Sequence, residues 1–263
     1  MIARRAQHTR REAVRVLQRK LYRAAKAAPQ RQCGVLYDKV YRRDVLEEAW
    51  QRVRRNRGSA GVDKQTVAAV EAYGVDRVLD ELEAELREKR YRPQPVRRVY
   101  IPKAGKPGQP RGLGIPAVRD RVVQAAVKLV IEPVLEADFR DCSYGFRPKR
   151  GAHDAIDEIQ AWVTWGYRKV IDADLQACFD SLPHEGVVAA VRRRISDPWI
   201  LRLIRRWLKA GILEEGTIRT AVAGTPQGGV ISPVLMNAYL HALDVAWEDQ
   251  ARGAKLIPSQ DPS

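Results

Sequence analysis

Apolar residues recur at helical spacing along most of the 263-residue chain. Within an arginine-rich stretch, Val14, Leu17 and Leu21 lie at i, i+3 and i+7, which predicts a helix over residues 4–28. Such a helix could be simply solvated or could lie on nucleic acid, and its one-sided charge favours nucleic acid. Apolar spacing with capping and turn residues predicts further helices. They cover about 44–55, 76–90, 118–138, 151–163, 185–194 and 198–210, and the residues after Gly229.

Single residues predict two details of these helices. Asp44 is expected to cap the second helix, which should end in the Gly-containing turn over residues 56–61. Pro133 is expected to kink or break the helix around it, because proline has no N–H to donate within a helix.

The apolar period changes at four places, which predict strands. Residues 96–101 and 112–115 flank the turn KAGKPGQP and predict a β-hairpin, and two further strands are expected at 168–175 and 217–223. Many helices with few strands favour an α+β fold, in which a small antiparallel sheet is backed by helices.

Charge points to a polyanionic partner, with nucleic acid ahead of an acidic membrane surface. The formal net charge is +15, and residues 1–60 alone hold 17 Lys and Arg against five Asp and Glu. The sequence lacks an export signal and a run of 18 apolar residues, so we expect no membrane association and a cytoplasmic location. Three cysteines without a C-x-x-C pair agree with a reducing compartment.

The stretch VIDADLQACFD places acidic residues inside a predicted strand. Asp172 and Asp174 would share one face of that strand, while Ile171, Ala173 and Leu175 would pack on the core from the other face. Asp174 lies at the strand end, where a carboxylate can hold Mg²⁺ together with substrate phosphates. Taken alone, the segment is better explained by a solvated strand end or a salt-bridged pair.

Two other segments have compositions suited to binding phosphates or a ligand. Nine basic and no acidic residues lie between Glu88 and Asp120, so the predicted hairpin could clamp phosphates, or could be an exposed edge kept soluble by its charge. The segment AGTPQGGVISP is a glycine-rich loop opening a helix, suited to close approach of a ligand or to a plain helix entry. Together with the acidic strand, these are the parts of a nucleotide-polymerising site.

These motifs resemble bacterial group II intron-encoded reverse transcriptases, the maturase family, over about residues 35–257. Five blocks carry the resemblance in the order found in the family. They are EAWQRVRRNRGSAGVD, VRRVYIPK with RGLGIPAVRDRVVQ, CSYGFRPKRGAHDAI, VIDADLQACFDSLPH and GTPQGGVISPVLMNAYL. The resemblance implies the fingers and part of the palm of a right-hand polymerase.

The resemblance also implies a reaction and its residues. The reaction is template-directed addition of deoxynucleotides to a primer by a mechanism that uses two Mg²⁺ ions. Asp174 matches the catalytic, metal-binding aspartate, and Phe179 matches the aromatic that abuts the sugar of the incoming nucleotide. The matched nucleotide-binding residues are Arg97, Lys103, Phe179, Gln227 and Gly228.

The implied partners are group II intron RNA, an RNA template with a DNA primer, and dNTPs. Arginines flanked by aromatic residues are the candidate RNA contacts. They are Arg52, Arg54, Arg55, Arg57 and Arg111. A binding module without catalysis remains an alternative, as does a diversity-generating, retron or CRISPR-associated reverse transcriptase.

One block of the family pattern is missing from the sequence. A Tyr-Ala-Asp-Asp block would follow Ile257, where the sequence instead has PSQDPS. We therefore expect a truncated chain that is inactive alone, or one completed by a second chain or by a homodimer. The expected division is a basic extension (1–60), fingers (61–165), partial palm (166–257) and a tail unlike the family (258–263).

Overall fold

The computed structural model describes residues 2–103, 106–219, 224 and 228–253. These residues form an α+β fold in which helices surround a small sheet, as the sequence predicts. The helices are α1 (Ile2–Ala27), α2 (Tyr37–Val40), α3 (Arg43–Asn56), α4 (Val67–Tyr73), α5 (Val75–Arg87), α6 (Val118–Glu136), α7 (Ala152–Thr164), α8 (Cys178–Ser181), α9 (His184–Arg192), α10 (Pro198–Leu208) and α11 (Ser232–Gly253). The strands are β1 (Val96–Lys103), β2 (Lys106–Ile115), β3 (Ile212–Glu214) and β4 (Thr217–Arg219). No helix in these ranges is long and apolar enough to cross a membrane.

Helix α6 is the centre of the core. Its side chains are buried almost all round, including those of Asp120, Arg121 and Glu132, and α1 and α3 pack against it. The helix continues through Pro133 to Glu136, so of the predicted kink or break the break does not occur. Since proline lacks an N–H, the carbonyl of Leu129 has no donor within the helix, and Gln18 Nε2 of α1 donates to it at 3.0 Å.

The N-terminus of α3 differs from the prediction. Arg42, in extended conformation, is the N-cap residue, and Asp44 lies inside the first turn. The Asp44 carboxylate accepts hydrogen bonds from the guanidinium of Arg42 and from the backbone N–H of Val45. The predicted end is confirmed, because α3 stops at Asn56 and the following residue is left-handed.

The predicted hairpin is confirmed, with longer strands than expected. β1 pairs with β2 in antiparallel fashion from Arg97 opposite Ile115 outward, and the register shifts between Pro102 and Lys103. β3 pairs with β4 antiparallel but with β1 parallel, which gives the order β2-β1-β3-β4. The sheet is therefore mixed, not wholly antiparallel. β4 covers the start of the strand predicted at 217–223, whose residues 220–223 lie outside the described ranges.

The strand predicted at 168–175 is absent. These residues are irregular and exposed, with Val170 at 83% and Ile171 at 81% of their full accessibility. A strand needs a neighbour for its N–H and C=O groups, and the described sheet ends in β2 and β4 without pairing this segment. The expectation that Ile171, Ala173 and Leu175 pack on the core is therefore wrong.

Candidate functional site

The loop after β4 lies against the turn that follows the acidic segment. The backbone N–H of Gly224 donates to the carbonyl of Leu182 at 2.8 Å, and His184 Nε2 lies 2.9 Å from the carbonyl oxygen of Gly224. Since a carbonyl only accepts, His184 carries its proton on Nε2. A Cβ added at Gly224 would lie 2.7 Å from the carbonyl oxygen of Asp180, so only glycine allows this approach.

The far end of the same loop lies against the hairpin. A Cβ at Gly228 would lie 2.5 Å from the carbonyl oxygen of Gly114 and 3.0 Å from the side chain of Leu113. Two residues further, the backbone N–H of Val230 donates to Gln124 Oε1 of α6 at 3.0 Å. The hairpin, the acidic segment and the glycine-rich loop, which are distant in sequence, therefore meet in the structure.

Asp174 lies on the irregular segment before α8 and is exposed. Ala177, in left-handed conformation at φ 50°, reverses the chain between Asp174 and the helix. Burial, and then the nearby Asp174 carboxylate, raise the pKa of the Cys178 thiol. Asp174 is thus close to α8 and open to solvent, as a carboxylate must be if it is to meet a cation and phosphates.

Phe179 is half-buried on α8 and contacts Phe146 edge to face, with ring centroids 6.4 Å apart. Phe146 is 63% exposed and belongs to the loop between α6 and α7. Buried Arg147 holds that loop by bonding Glu136 and the carbonyl of Ser143. The contact between Phe146 and Phe179 could not be predicted from the sequence, since only the tertiary fold brings the two rings together.

Arg97 has a contact that the sequence did not predict. Its Nε and Nη2 donate to the carbonyl of Ala60 at 3.0 and 2.7 Å, which ties β1 to the turn after α3. Arg121 Nη2 donates to the carbonyl of Ser59 in the same turn at 2.6 Å. Arginine has five N–H donors, so these bonds leave others available to a phosphate.

Some predicted site residues fall outside the description. Gln227 lies outside the described ranges, and for Lys103 and Arg111 only the backbone, in β1 and β2, is described. Gly228 is described and contacts β2, as stated above.

The α3 arginines are exposed and partly paired. Arg52 lies 3.1 Å from Glu48, Arg54 lies 2.6 Å from Glu71, and Arg55 donates to a backbone carbonyl of its own helix. Arg57 follows the helix in left-handed conformation.

Arg52 also lines a groove of about 730 Å³ between α1, α6 and the loop around Phe146. Aromatic and basic side chains line it, including Tyr22, Phe146, Arg19, Arg23 and Lys149. Two carboxylates also line it, Glu132 and Glu136, and they pair with Lys128 and Arg147. Since Phe146 also contacts Phe179, one end of the groove adjoins the site.

The described residues supply only part of a metal site. Within the described ranges, no cluster of three or more His, Cys, Asp or Glu side chains could hold a metal ion. Mg²⁺ can be held by one or two carboxylates together with substrate phosphates. Asp174 fits one such ligand.

Residues 101–257 match the family described as "Reverse transcriptase (RNA-dependent DNA polymerase)". Among curated proteins, "Protein YkfC" of Escherichia coli is 44% identical over 191 residues, 71% of this chain and 49% of its own. "Group II intron-encoded protein LtrA" of Lactococcus lactis is 36% identical over 211 residues, 80% of this chain and 34% of its own.

A solved structure has a similar fold. The chain from "Partial Cas6-RT-Cas1--Cas2 complex" superposes with a TM-score of 0.51 at 23% identity, covering 81% of this chain and 35% of that one. The chain thus spans about half the length of YkfC and a third of LtrA.

Proposed function

The chain belongs to the reverse transcriptase family, as its resemblance to group II intron-encoded proteins predicts, and we propose that it supplies the fingers and part of the palm of an RNA-directed DNA polymerase. The observation that carries this proposal is the meeting of three segments. Gly224 lies against the backbone of Asp180, and Gly228 lies against the carbonyl of Gly114 in β2. The glycine-rich loop therefore contacts both the end of the acidic segment and the basic hairpin. A nucleotide bound there would meet a carboxylate, cations and a glycine backbone together.

Each predicted residue takes a separate role in this proposal. Asp174 would ligate Mg²⁺, which in the family supplies charge stabilisation to the attacking and leaving oxygens. Phe179, held by Phe146, would abut the sugar of the incoming nucleotide. Cations of the hairpin, including Arg97 and Lys103, would offset the charge of the triphosphate, while Gly228 and Gln227 would lie along the nucleotide.

We further propose that the 263-residue chain does not polymerise alone. Catalysis needs reacting groups held in a near-attack geometry, and small displacements lower the rate strongly. Asp174 sits on a segment without strand pairing, and Val170 and Ile171 beside it are 83% and 81% exposed. A carboxylate on such a segment is not positioned until another strand, from a further segment or chain, pairs with it.

A second candidate function, RNA binding without catalysis, is favoured by the groove lined by Arg52. It combines cations, which attract phosphates, with the exposed rings of Tyr22 and Phe146, on which bases can stack. In the polymerase the same groove would hold the RNA template or the intron RNA. RNA binding is therefore expected of this chain with or without polymerase activity.

The test compares the chain alone with a completed chimera. The chimera begins with residues 1–257 of this chain in place of the matching part of LtrA. The C-terminal remainder of LtrA follows them. We expect primer extension on an RNA template with dNTPs and Mg²⁺ from the chimera and no product from the 263-residue chain. No product from a folded chimera would contradict the polymerase assignment, and robust product from the chain alone would contradict its inactivity.

A further inference from the structure

A second basic surface lies far along the sequence from the arginine-rich N-terminus. Residues 186–213 hold seven Lys and Arg and a single acidic residue, Asp197. Asp197 is buried and caps α10, and its other oxygen accepts from the backbone N–H groups of Leu36 and Tyr37 at 2.8 Å each. Its charge is therefore used inside the protein and does not offset the arginines outside.

Three of these arginines surround one depression. Arg192 of α9 with Arg202 and Arg205 of α10 line a cavity of about 450 Å³, together with Gln32 and Ser196. Arg192 and Arg202 are exposed, and Arg205 has a single distant partner, Glu185 at 3.4 Å, which is itself 69% exposed. The cavity thus offers guanidinium groups, a hydroxyl and an amide around one space.

The positive surface continues from this cavity across Trp199. Arg202 lies 4.5 Å from the centre of the Trp199 ring, and Lys89 lies 4.4 Å from the same ring. Two cations sharing one aromatic ring are held near each other despite their repulsion. Beyond them, burial and then the charges of Arg92 and Arg202 lower the pKa of Arg206.

We propose that this surface, the α9–α10 basic face, binds the phosphate backbone of RNA outside the polymerising site. The face consists of Lys89, Arg92, Arg192, Arg202, Arg205 and Arg206. The choice of RNA as the polyanion rests on the proposed function, whereas the basic character of the face does not depend on it.

The composition of the face favours nucleic acid over a protein partner. Every large aliphatic side chain of α9 and α10 is buried and Trp199 is half-buried beneath Lys89 and Arg202, so the face lacks the broad apolar centre that protein interfaces usually contain. Interfaces with nucleic acids are more polar and far more basic. Arginine can bind phosphate through two parallel N–H groups, and three arginines line this cavity.

The test is a fluorescence titration of the 263-residue chain with an RNA hairpin over a salt series. The variant R192Q/R202Q removes two positive charges from the cavity. We expect its affinity near 0.1 M salt to fall by more than about tenfold, and the slope of log K against log salt to weaken by about 1.5, because each lost phosphate contact releases fewer counterions.

Two matched variants make the result specific. R77Q/R87Q removes the same charge from α5, where both arginines have Glu partners one turn away, and should lower affinity less than about threefold. R192K/R202K keeps the charge but loses the paired N–H groups, so it should bind more weakly than wild type and more tightly than R192Q/R202Q.

Equal losses in R192Q/R202Q and R77Q/R87Q would overturn the proposal, since net charge alone would then explain binding. Unchanged RNA affinity in R192Q/R202Q would also overturn it and would leave the face to an acidic protein. Primer extension by the chimera tests the polymerase assignment separately.

Discussion

Gly228 packs so closely on Gly114 that a single added carbon would lie 2.5 Å from the Gly114 carbonyl oxygen. Gly228 also has φ +110°, a conformation that other residues rarely adopt. The contact joins the glycine-rich loop to β2, two segments more than a hundred residues apart. It holds Gly228, at the end of the glycine-rich loop, against the basic hairpin.

Substitution of Gly228 by alanine should therefore destabilise the fold and move the loop. We expect a loss of about 3 kcal/mol in the free energy of unfolding, from backbone strain and from the clash with Gly114. Gly166 is the matched control, because it has φ +99° with nothing within 4 Å of an added Cβ, and Gly166→Ala should cost about 1 kcal/mol. Urea unfolding measures both, and equal costs would show that Gly228 does not pack on the hairpin.

Arg194 is a buried anchor whose removal should be costly. Its guanidinium donates to the carbonyl of Ala25 in the last turn of α1 and to the carbonyl of Pro29 just after that helix. It also donates to the Asp138 carboxylate at 2.7 Å. Arg194→Met leaves these acceptors unpaired, and we expect a loss of about 3 to 5 kcal/mol. The exposed neighbour Arg193, replaced in the same way, should change stability by less than about 0.5 kcal/mol. Similar midpoints for the two variants in thermal unfolding would refute this role.

Asp120 predicts a dependence of stability on pH. Burial raises the pKa of this carboxyl from 3.8 to about 6, although Tyr91 and the backbone of Gln94 donate to it. Because the folded state binds the proton more tightly, Asp120 favours folding below about pH 4, and this contribution is lost as pH rises through about 6.

The comparison with Asp120→Asn, which does not titrate, isolates the effect. From pH 4 to 7 the wild type should lose about 2 kcal/mol of unfolding free energy relative to the variant. Stability curves that stay parallel across this range would contradict a raised pKa for Asp120.

Elements whose residues lie within one short stretch of sequence were predictable, whereas contacts between distant segments were not. The hairpin β1–β2 was predictable because alternation and a Gly/Pro turn lie within one short stretch. The strand at 168–175 was not, because pairing depends on a neighbour that the alternation of Ile171 and Asp172 cannot reveal. The contacts of Phe146 with Phe179 and of Arg97 with Ala60 are tertiary, and no spacing in the sequence indicates them.

The most direct measurement is primer extension by the chimera carrying Asp174→Ala, beside the same chimera carrying Asp172→Ala. Both residues are exposed on the same segment, but only Asp174 is assigned to the metal. The account predicts that Asp174→Ala lowers the extension rate by at least about a thousandfold, while Asp172→Ala stays within about threefold of the unmodified chimera. Extension that survives Asp174→Ala would contradict the central claim that this segment provides a catalytic carboxylate of the polymerase.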